Sequence, residues 1–219
     1  MTTFHIVSIF PEVVRVYCDA SILGRAQEAG HIKLTYVNPR EFSRDRHEKV
    51  DDRPYGGGPG MVMSADPLVR ALDKISKGIA KKKKVKVKVI LFSPSGTQVT
   101  NIYAKNLIKK YTDIILICGR YEGIDARVKK IFKAEEVSIG PFVLTGGEVP
   151  AMVVVDACAR QIEGVLGTHE SLEEERISSS EVYTRPEIYE WKGKKYKVPP
   201  VLLSGDPKKI DAWKEGKKA

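Results

Sequence analysis

Cysteine is scarce in this 219-residue chain, and the three present (Cys18, Cys118 and Cys158) are odd in number and lie in apolar stretches without metal-ligand spacing. That pattern excludes a disulfide framework and a thiolate metal site, and it predicts buried, reduced thiols. No apolar run approaches the ~18 residues that a membrane span needs. Phe4–Phe10 is too short for a secretory leader and is followed at once by Pro11, so a cytosolic protein without membrane association is expected. Two phosphate-binding fingerprints are missing as well: no GxGxxG opens a helix, and no GxxxxGK[ST] is present. Internal repeats are absent. Acid is in deficit, with 28 Asp and Glu against 37 Lys and Arg, a net charge of +9. Such an excess favours a polyanionic partner, although many ordinary enzymes share it.

What is present suffices for a folded core. The chain is 42% apolar and 30% charged, which excludes disorder on the scale of the whole molecule. The run Phe4–Phe10 reads as a buried strand, Val14–Tyr17 and Ile22–Glu28 have helical spacing, and Ile32–Val37 alternates as a strand. A long polar loop, Asn38–Gly60, follows, and loops of that length in compact domains usually carry function. Further helices are expected at Pro67–Ile75, Asn101–Lys109, Ile124–Phe132 and Glu148–Ile162, and further strands at Val85–Phe92, Asp113–Cys118 and Glu136–Ile139. The Lys81–Lys84 run reads as a solvated connection. Strands alternating with helices imply an α/β domain with a largely parallel sheet. Beyond Gly167 the hydrophobic pattern fades: residues 168–182 read as an acidic linker, and residues 183–219 form only a small subdomain.

Three glycine-bearing loops follow apparent strand ends: Ser93–Gly96, Gly119–Gly123 and Ser138–Gly147. Open α/β sheets bind ligands there, and glycine lets backbone groups approach an adenine edge closely. Three such loops at successive strand ends outweigh the alternative of ordinary tight turns, and the ligand they suit needs no phosphate cradle. The fourth feature is Val50–Met61, in which every residue from Pro54 to Gly60 except Tyr55 is proline or glycine, with Asp51, Asp52 and Arg53 at its base. Mixed Pro and Gly flanked by fixed charges differs from a flexible linker.

These stretches resemble the bacterial tRNA (guanine-N1) methyltransferases of the SPOUT class. The likeness runs in order through Ser8–Glu12, Asp45–His47, Val50–Met61, Cys118–Asp125, Ser138–Gly140, Leu144–Met152, Gly164–Gly167, Tyr183–Pro186 and Val198–Gly205. It implies a SPOUT fold: a largely parallel sheet, helices on both faces, a deep trefoil knot and a small C-terminal subdomain. The implied domains are a catalytic, S-adenosylmethionine-binding domain (1–167), an interdomain linker (168–182) and a short, truncated tRNA-binding subdomain (183–219). The implied reaction is methylation of N1 of the guanosine 3′-adjacent to the anticodon, by an antiparallel homodimer, with a divalent ion, usually Mg²⁺, needed for full activity. Two alternatives stand beside it: a knotted methyltransferase with another target such as a ribose 2′-hydroxyl, and an RNA-binding homologue impaired in catalysis.

Residue by residue, the resemblance assigns cofactor binding to Leu91, Phe92, Ser93, Pro94, Gly96, Gly119, Tyr121, Glu122, Ser138, Ile139, Gly140, Pro141, Phe142, Val143, Leu144, Gly146, Gly147 and Pro150. It assigns substrate contacts to Asp51, Arg53, Gly58 and Arg185, and catalysis to Arg160. N1 of guanine is a poor nucleophile while protonated, and its deprotonation spreads negative charge over N1 and O6. A carboxylate as base and a guanidinium near O6 meet that demand. The family places an Asp in the linker; counting from Gly167 without gaps puts Glu175 there, and the shorter linker keeps Glu174 and Glu173 open. The Lys-rich stretches Lys192–Lys197 and Lys208–Lys218 are expected to contact phosphates.

Overall fold

The computed structural model describes residues 1–166 and 181–216. Two compact units divide the chain, Met1–Leu166 and Gly167–Ala219. In chain order the first unit contains β1 (Thr2–Val7), α1 (Pro11–Cys18), α2 (Ser21–Glu28), β2 (Ile32–Val37), a 3-10 turn at Pro39–Phe42, β3 (Asp51–Asp52), β4 (Val62–Met63) and α3 (Ala65–Ala80). It continues with β5 (Val87–Gln98), α4 (Asn101–Lys110), β6 (Asp113–Ile117), α5 (Ala126–Phe132), β7 (Glu135–Ser138) and α6 (Glu148–Ala159).

Five strands form one sheet in the order β2-β1-β6-β5-β7, parallel at every pairing. The two-residue side-chain period divides each strand between two cores. Phe4, Ile6, Ile114 and Leu116 face a cluster with α1, α2, α4 and α6. Val7, Ile115 and Ile117 face a second cluster with Leu68, Leu72 and Ile75 of α3 and Val128 of α5. A central strand covered on both faces is apolar throughout, as Asp113–Ile117 is after its first residue. The expected α/β fold with helices on both faces is what forms. All three cysteines are free and buried; burial pushes the Cys18 and Cys158 thiols up to about 12.

Some boundaries differ from expectation for tertiary reasons. The strand expected to end at Phe92 shifts register between Phe92 and Thr97 and pairs again with β7 through Gln98, although Pro94 and Gly96 read as stops. Ile124 does not open α5; it bridges to Met63, and Asp125 caps the helix by accepting from the Arg127 amide. The last helix of this unit stops at Ala159 rather than Ile162, with Arg160 as its C-cap.

Beside the start of β6, His5 is held between Thr35 (2.7 Å) and Asp113 (3.0 Å), and Lys82 reaches the same Asp113 carboxylate at 2.6 Å. Burial depresses the His5 pKa despite its bond to Asp113. Asp113 also resists protonation: burial opposes its charge, but the hydrogen bonds from Lys82, His5 and Thr112 prevail and lower its pKa.

The second unit holds β8 (Ile188–Trp191) and β9 (Lys194–Lys197), an antiparallel hairpin, followed by α7 (Pro200–Leu203) and α8 (Pro207–Glu215). Asp206 caps α8 by accepting from the Lys208 amide. Glu173, Glu174 and Glu175 lie outside the described residues, as does most of the linker expected at 168–182.

Candidate active site at the strand ends

The chain steps inward from β5 to β6 by way of α4 on one face. It then crosses back over β5 to the edge strand β7 by way of α5 on the other face. Loops diverge where strand order reverses in this manner, and the crevice at the carboxyl ends of the strands is where open sheets bind ligands. Here the three loops enclose a cavity of about 420 Å³. Its wall runs from Leu91–Pro94 through residues 119–124 and 136–140 to residues 142–147 and Pro150.

The loops touch one another without room to spare. The Gly147 amide donates to the Gly119 carbonyl at 2.9 Å, and a Cβ on Gly147 would lie 2.6 Å from Cys118 Cα. Only glycine permits that approach. Beneath them Glu148, 2% exposed, accepts from the Ser8 hydroxyl at 2.6 Å and lies 3.0 Å from the Arg120 guanidinium. The Arg120 Nε–Glu148 Oε2 contact is an ion pair out of line for a hydrogen bond. Arg120 also donates to the Thr145 carbonyl at 3.3 Å and covers the Phe10 ring at 4.8 Å. One buried carboxylate thereby joins the end of β1, the loop after β6 and the start of α6.

The Pro/Gly-rich loop docks on the loop after β6, which forms one wall of this cavity. Asp51 and Asp52 pair with Met63 and Val62 as β3 and β4, and β4 continues onto the loop after β6. The Met63 amide donates to Gly123 O at 2.9 Å, and the Glu122 and Asp125 amides donate to Met61 and Met63 carbonyls, each at 3.0 Å. A Cβ on Gly60 would strike the Glu122 side chain at 2.6 Å. Arg53 and Gly58 remain exposed on this loop.

Of the cofactor-site residues expected from sequence, all but Gly96 and Pro141 line the cavity. Gly96 instead packs against β7, where a Cβ would meet the Glu136 carbonyl at 2.7 Å. Arg160 ends α6 half-buried and outside the cavity wall, and Arg185 belongs to the second unit. Sequence reasoning missed Gly123, Ile124, Glu136, Val137 and Thr145 in the wall. Gly123, Ile124 and Thr145 lay inside the quoted motifs, whereas Val137 and Glu136, the latter paired with Lys129 at 2.7 Å, carried no motif signal.

The model of the family described as tRNA (guanine-1)-methyltransferase TrmD matches residues 2–219. The chain belongs to this family. The tRNA (guanine-N1)-methyltransferase of Carboxydothermus hydrogenoformans is 44% identical over 214 residues, covering 96% of this chain and 80% of that protein. The protein of the same name from Dictyoglomus turgidum is 46% identical over 218 residues, covering 98% and 84%. That from Pseudomonas aeruginosa is 46% identical over 213 residues, covering 95% and 81%.

Chemically, the cavity combines apolar walls (Leu91, Phe92, Phe142, Leu144) with backbone donors and acceptors of three loops and the carboxylates of Glu122 and Glu136. This suits a flat heterocycle attached to a cationic group better than it suits a phosphate. No cluster of three or more His, Cys, Asp or Glu side chains fit for a metal lies among the described residues. Among those residues, no helix is long and apolar enough to cross a membrane.

Proposed function

We propose that this protein methylates N1 of the guanosine 3′-adjacent to the anticodon of tRNA, in the cytoplasm, with S-adenosylmethionine as donor. Family membership together with the cavity at the strand ends, walled by the residues assigned to the donor, carries the reading. Backbone groups of residues 91–94, 119–122 and 138–147 would hold the adenine, and the donor supplies a methyl group already activated as a sulfonium. A trefoil knot that laces these loops together is part of this reading.

The chain's own part is alignment and proton movement. Asp51, Arg53 and Gly58, on the loop docked against Glu122, face the guanosine side, and Arg185 contacts tRNA from the subdomain 183–219. Arg160 stabilises negative charge at O6, and Glu175 in the linker 168–182 takes the N1 proton, with Glu174 and Glu173 as alternatives. Mg²⁺ finds no protein cage among the described residues, and no step is assigned to it.

A homodimer is part of this reading. Around α6 few faces are polar: Val149 (47%) and Val153 (40%) are exposed opposite its buried side, and neighbouring α1 exposes Val13, Val16 and Tyr17. An exposed helix side that carries valines beside a neighbour exposing further apolar side chains is normally covered, and a second copy would cover it. Incubation with S-adenosylmethionine, Mg²⁺ and an unmodified tRNA transcript should yield 1-methylguanosine by nucleoside mass spectrometry. Folded protein that binds the donor yet produces none would sink the proposal.

A further inference from the structure

The hairpin of the second unit has two unlike faces. Lys192 (φ +51°) and Gly193 (φ +75°) form its two-residue turn, both in the left-handed region that a type I′ turn requires. That turn sets the register Tyr189↔Tyr196, Glu190↔Lys195 and Trp191↔Lys194. Directly paired residues and their i+2 neighbours share a face. Tyr189, Trp191, Tyr196 and Lys194 therefore stand together on one side, and Ile188, Glu190, Lys195 and Lys197 on the other.

The three rings are 57%, 57% and 50% exposed. Ammonium groups accompany them: Lys192 lies 5.8 Å over the Trp191 ring and Lys194 lies 5.5 Å over that of Tyr196. From Ile188 to Lys197 there are four lysines against the single Glu190. Three half-exposed aromatic rings on a two-stranded hairpin are costly to leave in water.

We propose that this face is a stacking platform for unpaired nucleobases of the RNA substrate; the idea rests on the tRNA reading above. Each base offers a π-face to a ring while its phosphate meets a lysine, a combination typical of single-strand binding. A duplex keeps its base faces inside the stack and would offer only phosphates. An apolar protein surface would instead have to desolvate the interleaved ammonium groups.

The test uses the full chain and an unmodified tRNA transcript. Trp191→Ala should weaken tRNA binding by about tenfold, the order of one lost base stack, raising KM while kcat is largely kept, and Trp191→Phe should restore binding. In a Trp213→Phe background tRNA should quench the remaining Trp191 fluorescence, which reports stacking even where the alanine variant folds poorly. Oligouridylate should compete for the platform better than a blunt RNA duplex of equal length. Equal competition by the duplex, absence of quenching, or a Trp191→Ala KM within about twofold of wild type overturns the platform. A change in subunit association with unchanged RNA affinity also overturns it and assigns the face to a subunit contact. Wild-type methylation with any of these results leaves the functional reading standing, whereas absence of 1-methylguanosine from the wild type defeats that reading.

Discussion

Two glycine-rich loops of the first unit look alike in sequence, yet glycine stands in them for opposite reasons. At Gly147 the obstacle is space, since a Cβ would sit 2.6 Å from the Cys118 backbone and close to the Gly119 amide. At Gly58 nothing lies within 4 Å of the corresponding position, but φ is +113°, which side chains rarely adopt. The first loop belongs to a packed interior shaped around a cavity. The second is a rim held in an unusual backbone path over open solvent, where a large substrate can approach. Glycine density alone does not distinguish a cradle from a rim; the neighbours of the missing Cβ do.

The largest effect should come from the carboxylate under the first loop. Glu148→Ala leaves the Arg120 guanidinium without its counter-charge and the Ser8 hydroxyl without its acceptor, and should cost ~3 kcal/mol of stability, as removing one partner of a buried pair does. Denaturant unfolding measures it, and a loss below ~1 kcal/mol would show that the pair does not hold the loops together. Gly147→Ala should cost ~1–3 kcal/mol through overpacking and should abolish S-adenosylmethionine binding in calorimetry.

Gly58→Ala should cost only ~1 kcal/mol, the strain of a side chain at positive φ. Its signature is a raised KM for tRNA with unchanged donor affinity; a matching loss of donor affinity would erase the distinction between the loops. The smallest effect concerns acid. The depressed His5 pKa means that the unfolded chain takes up this proton first. Stability from this site is full above pH 6.5 and is lost as pH falls through the folded value. Asp113 adds the same trend below 3.8. His5→Gln should flatten the decline in Tm between pH 7 and pH 5, and an undiminished slope would place the titrating group elsewhere.

Much of the fold was legible because its signals are local. Asp113–Ile117 is apolar enough to declare a strand covered on both faces, and Pro11 and Gly30 bound the first two helices as punctuation should. The wall of the candidate site was legible through a second kind of signal, the ordered motifs of the family resemblance. Glu136 escaped notice because an acid at the start of a short strand reads as surface charge. The excursion of β5 through Ser93–Gly96 escaped because rejoining β7 depends on a partner some forty residues away, while the local proline and glycine argue for a stop.

The amino-acid sequence by itself determined the alternation of strands and helices, the glycine-bearing segments that wall the cavity, and the aromatic and lysine content of the last hairpin. Each depends on residues within a turn or two of one another, where periodicity and backbone preference act. The tertiary structure alone decided the strand order that opens the crevice and the docking of the Pro/Gly loop on Glu122. It also decided the bond between Ser8 and Glu148, 140 positions apart. Contacts at such separation have no local pattern; they exist because the sheet brings distant loops to one edge and leaves a buried charge that must find its partners there.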